Sequence, residues 1–273
     1  MAEIDFVPDE HGGVTVTVDG HPQSHVDLQD PEGLVFEYVQ HMAAVIDASF
    51  PRPDPIGATH VGGAGLTLAR WVHATRPGSP QIVLEPDEQL TAQVRERLPL
   101  PRGSRIRVRP QAGREGVAAL KDASADVVLI DAFADGRVPA ELQTSEFFSD
   151  VARVLRPGGL LALNCPDEPG LRHVADVVAT LRGSFVAPQG PSLALIAMRD
   201  VVKGRRYGNT VLVASDRPLD VEEIRRQVLR WPFPSGVLAG ATLERRLAGG
   251  RPLTDAASSP SPAAPDPGRW RAR

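Results

Sequence analysis

The 273-residue chain is predicted to be an α/β protein whose largely parallel sheet carries helices on both faces. Three observations predict this. Apolar runs near 57–62, 81–85, 105–109, 126–131 and 159–164 alternate with helical patterns near 65–75, 87–97, 113–121 and 143–155, the order in which strands are joined through crossover helices. The first run ends in Gly62-Gly63-Ala64-Gly65, directly before a helix. The second, Ile82-Val83-Leu84, ends on Glu85, twenty residues beyond Gly65.

The elements follow in chain order. Val14-Thr15-Val16-Thr17-Val18 alternates strictly and meets Asp19-Gly20, a pair suited to a hairpin turn. Leu34 to Ala48 has the composition and spacing of a helix, and Pro51, Pro53 and Pro55 break the chain after it. Residues 1–50 therefore form an N-terminal β-hairpin and helix, and residues 56–247 a Rossmann-like nucleoside-binding domain. Beyond the five runs above lie strands near 193–199 and 209–214, with helices near 170–182 and 220–229. Only Asp200 to Gly208 separates the last two strands, too short for a crossover helix, so they are expected to pair antiparallel. The result is a seven-stranded sheet, mostly parallel, with an antiparallel last strand. Residues 248–273 are rich in Pro, Ala and Ser and poor in aliphatic side chains, so they read as a disordered tail whose Trp270 lies between Arg269 and Arg271.

Composition narrows the function. Thirty Lys and Arg against 34 Asp and Glu give a formal charge of -4, which provides no global basic field for nucleic acid or an anionic membrane. A single cysteine, Cys165, allows no intrachain disulfide, and it is read as a buried structural thiol at a strand end. Seven histidines without ligand spacing argue against a metal site. The acidic N-terminus lacks a signal-peptide core, and no run reaches eighteen apolar residues. A cytoplasmic protein is expected.

The glycine loop and Glu85 carry the chemical signal. Gly62, Gly63 and Gly65 permit close backbone approach at a helix N-terminus, and Glu85 supplies a carboxylate for two ribose hydroxyls. Asp131 ends the run Val127-Val128-Leu129-Ile130, at the sheet end where open α/β folds put their ligands. A strand-end aspartate can also simply cap a turn. Trp71, on the helix after the glycine loop, reads as core packing.

The antiparallel finish and Arg156-Pro157-Gly158-Gly159 resemble the class I S-adenosylmethionine-dependent methyltransferase superfamily. Within it, the chain resembles the polyamine aminopropyltransferases, spermidine synthase and its homologues. Asp19-Gly20-His21-Pro22-Gln23-Ser24 is similar to that family's L-D-G-x-x-Q segment. Gly62-Gly63-Ala64-Gly65 stands at its G-G-G-D-G loop, and Leu84-Glu85-Pro86-Asp87 at its E-x-D. Asp131 to Leu142 resembles D-x-x-D-P-x-G-P-A-x-x-L, followed by Glu146-Phe147-Phe148. The resemblance implies Gln23, Gly62, Gly63, Gly65, Glu85 and Asp131 as donor-binding residues, Asp131 as the catalytic group, and Tyr38 and Asp135 on the acceptor side. It also implies decarboxylated S-adenosylmethionine as donor, without a metal, a small-molecule amine as partner, and a homodimer formed through the N-terminal β-element.

Several acids of the family pattern are missing. The aspartate of the glycine loop is replaced by Gly65, and that of the G-D-A segment by Ala112 in Gln111-Ala112-Gly113. The second aspartate of D-x-x-D falls on Ala134, with Asp135 one residue late, and the Tyr-x-Glu has an approximate counterpart in Phe36-Glu37-Tyr38. Arg114 and Arg137 add positive charge beside these losses, which suggests a ligand more anionic than a diamine, although solvated surface arginines would look the same. Three functions follow: aminopropyl transfer with an eroded polyamine site, methyl transfer from intact S-adenosylmethionine, and a non-catalytic nucleoside-thioether-binding or dimerising module.

Overall fold

The computed structural model describes residues 3–265. Trp270 and its flanking arginines lie outside them. Strands Ile4–Pro8 (β1), Val14–Val18 (β2) and His21–Val26 (β3) come first, followed by helix Glu37–Ser49 (α1). The main domain then runs Ala58–Val61 (β4), Thr67–Thr75 (α2), Gln81–Leu84 (β5), Glu88–Arg97 (α3), Ile106–Arg109 (β6), Gly113–Ala118 (α4) and Ala125–Ile130 (β7). After a 3-10 turn at Ala140–Leu142 come Ser145–Val154 (α5), Leu155–Asn164 (β8), Arg172–Ser184 (α6), Leu193–Met198 (β9), Arg199–Val202 (α7) and Thr210–Ser215 (β10). Val221–Val228 (α8), Ser235–Ala239 (β11) and Gly240–Arg246 (α9) follow.

The large sheet has the order β11-β9-β10-β8-β7-β4-β5-β6. Strands β6, β5, β4, β7 and β8 are mutually parallel, and β10 runs antiparallel to both β8 and β9 between them. This is the predicted plan with one strand more. The eighth, β11, pairs antiparallel with β9 at the sheet edge. Its sequence, Ser-Gly-Val-Leu-Ala, is too short and mixed to display strand alternation. The N-terminal hairpin is likewise extended, by β1, into a three-stranded antiparallel sheet.

Because parallel strands are covered on both faces, their side chains are apolar in both directions. One face packs Phe147, Phe148, Val151 and Val177 from α5 and α6 against Val128, Ile130, Leu161 and Leu163. The other packs α1, α2 and α8, with Met42, Ile46, Trp71 and Ile224, against Val127, Leu129, Val211 and Val213. Trp71 is fully buried, as read from the sequence. A third cluster joins Val16 and Val26 of the small sheet to Leu66, Val83, Leu90 and Val94, which docks that sheet beside the glycine loop.

Residues 248–265 depart from the expected disordered tail. The segment lies along the body: Leu253 is buried, and its N–H donates to Thr180 Oγ1 at 2.8 Å while its carbonyl accepts from Ser145 at 2.9 Å. Ser261 is fully buried against Val138. Order here comes from backbone and hydroxyl hydrogen bonds to distant residues, which a count of aliphatic side chains does not register.

Candidate functional site

Strand order reverses between β4 and β7, and ligands in open α/β sheets sit at the carboxyl ends on either side of such a point. Gly62 follows β4 there with φ +88°, and a Cβ on it would collide with the carbonyl oxygen of Asp131. Only glycine lets the two strand ends meet so closely. Asp131 N–H in turn donates to Val61 O at 2.9 Å.

Glu85 closes the other side of the loop. Its Oε2 accepts from the N–H groups of Gly63 (3.0 Å) and Ala64 (3.2 Å), and its Oε1 from Asp87 (3.0 Å). Asp87 caps α3 by accepting from Leu90 N–H at 2.8 Å. The carboxylate thus holds the loop, and with about four acceptor positions it can take a further hydroxyl. Ala64 and Leu66 both adopt positive φ, 36° and 63°, so the loop keeps a glycine-like path without glycine at either position.

The N-terminal sheet reaches the loop through Ser24, not Gln23. Gly65 N–H donates to Ser24 Oγ at 3.0 Å, and a Cβ at position 65 would lie 2.7 Å from Ser24 Cβ. Gln23 is half-buried and donates weakly to His21 O at 3.4 Å. The absent aspartate at Gly65 is therefore matched by a neighbour that occupies its space.

Asp131 is the centre of a second polar group at the same sheet end. Asn164, at the end of β8, donates from Nδ2 to Asp131 Oδ1 at 3.0 Å, and the Tyr38 phenol lies beside the same carboxylate. Burial pushes the Asp131 carboxyl up to about 6, against the hydrogen bond from Asn164 and the nearby Tyr38 phenol, which favour its charged form. Burial, then the charge of Asp131 and that of Glu37, push the Tyr38 phenol well above its ordinary value. Asn164 is itself buried, and its Oδ1 has no hydrogen-bond partner.

Glu37 enters the sequence pattern only through the approximate Phe36-Glu37-Tyr38 segment, yet it is the second acid of this group. Asn209, just before β10, donates from Nδ2 to Glu37 Oε1 at 3.0 Å. Since Val211 pairs with Asn164 across β10 and β8, the two asparagines come from neighbouring strand ends. Each holds one carboxylate, and Tyr38 follows Glu37 at the start of α1. Asn164 and Asn209 carried no signal in the sequence, because an asparagine at a strand end is ordinary there.

Asp135 lies apart. Ala134 and Arg137 exchange two backbone hydrogen bonds around a tight turn, and Asp135 sits exposed at its tip with φ 50°. The expectation that Arg114 faces an anionic ligand is corrected: its guanidinium donates to Asp255 Oδ2 (2.8 Å) and Thr144 Oγ1 (3.1 Å) and lies over the Phe147 ring. Arg137 is exposed. Cys165 is fully buried, and burial raises its thiol pKa, in keeping with an inert core position.

A strand-end glycine loop, an acid after the second strand and a β10 inserted antiparallel between β8 and β9 define a protein of the class I S-adenosylmethionine-dependent methyltransferase fold. No family model matches the chain. It is 30% identical to a probable spermidine synthase from Corynebacterium glutamicum ATCC 13032 over 93% of both chains, with a TM-score of 0.84. It is 28% identical over 143 residues to the polyamine aminopropyltransferase of Chromobacterium violaceum, which covers 52% of this chain and 53% of that one. The chain thus spans about half the length of the curated relatives it matches. The fold is also that of spermidine synthase from Thermotoga maritima, at 19% identity, 90% and 84% coverage and a TM-score of 0.61. The chain belongs to the polyamine aminopropyltransferase (spermidine synthase) family.

Proposed function

We propose that this chain transfers an aminopropyl group from decarboxylated S-adenosylmethionine to a small amine, with Asp131 as the base. The observation that carries this reading is the partly buried carboxylate of Asp131, held by Asn164 Nδ2 with the Tyr38 phenol beside it, on a residue whose backbone carbonyl abuts Gly62 of the donor loop. A free alkylamine with a pKa of about 10.4 is mostly protonated near neutrality, so a nucleophile must be selected and held in its neutral form. Asp131 accepts a hydrogen bond from that amine and aims its lone pair at the carbon bonded to the sulfonium. As the new C–N bond forms, the C–S bond breaks and its electron pair goes to sulfur, leaving a neutral thioether. The nitrogen becomes more acidic as it bonds, and its proton passes to Asp131. Asn164 Oδ1, buried and unpartnered, is available to a second N–H of the same nitrogen.

Glu37 offers a second negative group for the far ammonium of a diamine, in place of the family acids this chain lacks. Glu85 receives the ribose hydroxyls of the donor. Incubation with decarboxylated donor and putrescine, spermidine or cadaverine, followed by mass spectrometry of the product amine, tests the reading. Absence of any transfer at millimolar amine overturns it.

One observation favours intact S-adenosylmethionine as the donor instead. Position 65 carries no carboxylate, and Ser24 fills the space of one, so the cationic end of the decarboxylated donor lacks an acid there. Calorimetry with both donors separates the readings: tighter binding of the intact donor favours methyl transfer.

A further inference from the structure

We infer that the C-terminal segment is a strap that positions the acceptor-side loop, with Asp255 and Ser261 as its positioning residues. The inference rests on the reading of Asp131 and the loop after it as the acceptor side. That loop, residues 132–144, begins at Asp131 and ends at Thr144, the N-cap of α5, whose side chain accepts from Phe147 N–H at 3.2 Å. The strap grips it at its middle and at its C-terminal end.

At the middle, Val138 gives both backbone groups to Ser261. Its N–H donates to Ser261 Oγ at 2.9 Å, and its carbonyl accepts from Ser261 N–H at 3.1 Å. Both residues are fully buried, so no solvent can replace these bonds. At the C-terminal end, Asp255 accepts from Thr144 Oγ1 at 2.6 Å through one oxygen and from Arg114 at 2.8 Å through the other. Asp255 N–H donates to Glu146 Oε2 at 3.1 Å, and Leu253 O accepts from Ser145 N–H at 2.9 Å.

Between the grips the loop has one inner stay. Gln143 Nε2 donates to the carbonyls of Val138 and Pro139, both at 3.2 Å, while Gln143 Oε1 pairs with His173 Nε2 at 2.6 Å. The strap also meets the chain just before β10, where Tyr207 donates to Pro262 O at 3.4 Å. Asn209, which holds Glu37, is two residues away. One segment thus contacts both the loop behind Asp131 and the chain that carries the partner of Glu37. The donor half makes no hydrogen bond to it among the described residues. Loosening the strap is therefore expected to act on the amine and spare the donor.

The scissile bond between Arg137 and Val138 reports on the strap directly, since trypsin needs that segment to open and Val138 N–H is one of the gripped groups. The test compares the native chain with Asp255→Ala, Ser261→Ala and a chain ending at Gly250. Cleavage after Arg137, measured by mass spectrometry against cleavage after Arg102, is expected to accelerate about tenfold or more in the single variants. The KM for the amine should rise about tenfold with donor affinity within twofold. Native cleavage rates in both single variants overturn the inference, as does an equal loss of donor and amine binding. The single variants decide if the shortened chain fails to fold. A native protein without transfer activity sinks the functional reading alone, and the cleavage rates still judge the strap.

Discussion

The proposed donor half and the proposed acceptor half of the site are built in different ways. The donor half is local: Gly62 to Gly65 and Glu85 lie within one β-α-β unit, where three backbone N–H groups meet the Glu85 carboxylate and a fourth meets the Ser24 hydroxyl of the adjoining β3. The acceptor half is assembled from α1, the ends of β7 and β8, the chain before β10, and a strap more than a hundred residues beyond Asp131. A local unit is specified by spacing. A dispersed one is specified only by the fold, and that difference sets where substitutions should act.

The largest effect is expected at Asp131. Asp131→Asn should leave donor binding intact and lower kcat by about 10² or more, because the amide cannot take the proton of the attacking nitrogen. Loss of donor affinity in calorimetry would break the division between the halves. The pH profile sharpens the same point. With the carboxyl pushed up to about 6, kcat/KM should fall as pH drops through that value, since the protonated acid accepts nothing. Its effect on stability has the opposite sense. The folded state holds the proton more tightly than an unfolded aspartate of pKa about 3.9, so this group's stabilising contribution is full below pH 4 and is lost as pH rises through 6. Asp131→Asn should remove that slope from a denaturation series.

Next in size is Glu85. Glu85→Ala should weaken an adenosyl ligand by about 1.5 to 3 kcal/mol, the worth of hydrogen bonds to a charged acceptor. It also leaves the N–H groups of Gly63 and Ala64 without their partner, so part of the loss is loop geometry. If amine KM moved and donor affinity did not, the assignment of halves would be reversed.

What the sequence made legible follows this division. The parallel sheet, its antiparallel β10 and the placement of the glycine loop, Glu85 and Asp131 at strand ends were readable, because periodicity and spacing within about 25 residues encode them. Asn164, Asn209, Glu37 and the strap were not. Their roles arise from pairing across β8 and β10 and from contacts such as Val138 with Ser261, 123 residues apart. Charge read along the chain also misled: Arg114 beside a lost aspartate looked ligand-facing, whereas it is engaged with Asp255, 141 residues away.

The smallest expected effect tests how the two halves of the family pattern diverged at Gly65. Restoring an acid by Gly65→Asp alone follows naturally from the sequence, but its Cβ would stand 2.7 Å from Ser24 Cβ and 3.0 Å from Val26 Cγ2. The expected result is a loss of about 1 to 3 kcal/mol in stability, typical of overpacking, with no gain in affinity for the decarboxylated donor. Ser24→Ala should cost about 1 kcal/mol in a urea titration, because it strips the acceptor from a buried Gly65 N–H. Combining Gly65→Asp with Ser24→Gly removes the nearest obstruction and leaves the carboxylate beside the loop. In that background, calorimetry should register a shift in preference toward the decarboxylated, more cationic donor, through charge pairing that the native loop lacks. If Gly65→Asp alone binds that donor more tightly and remains as stable as the native chain, Ser24 does not block the position. The donor half would then tolerate the acid that this sequence omits.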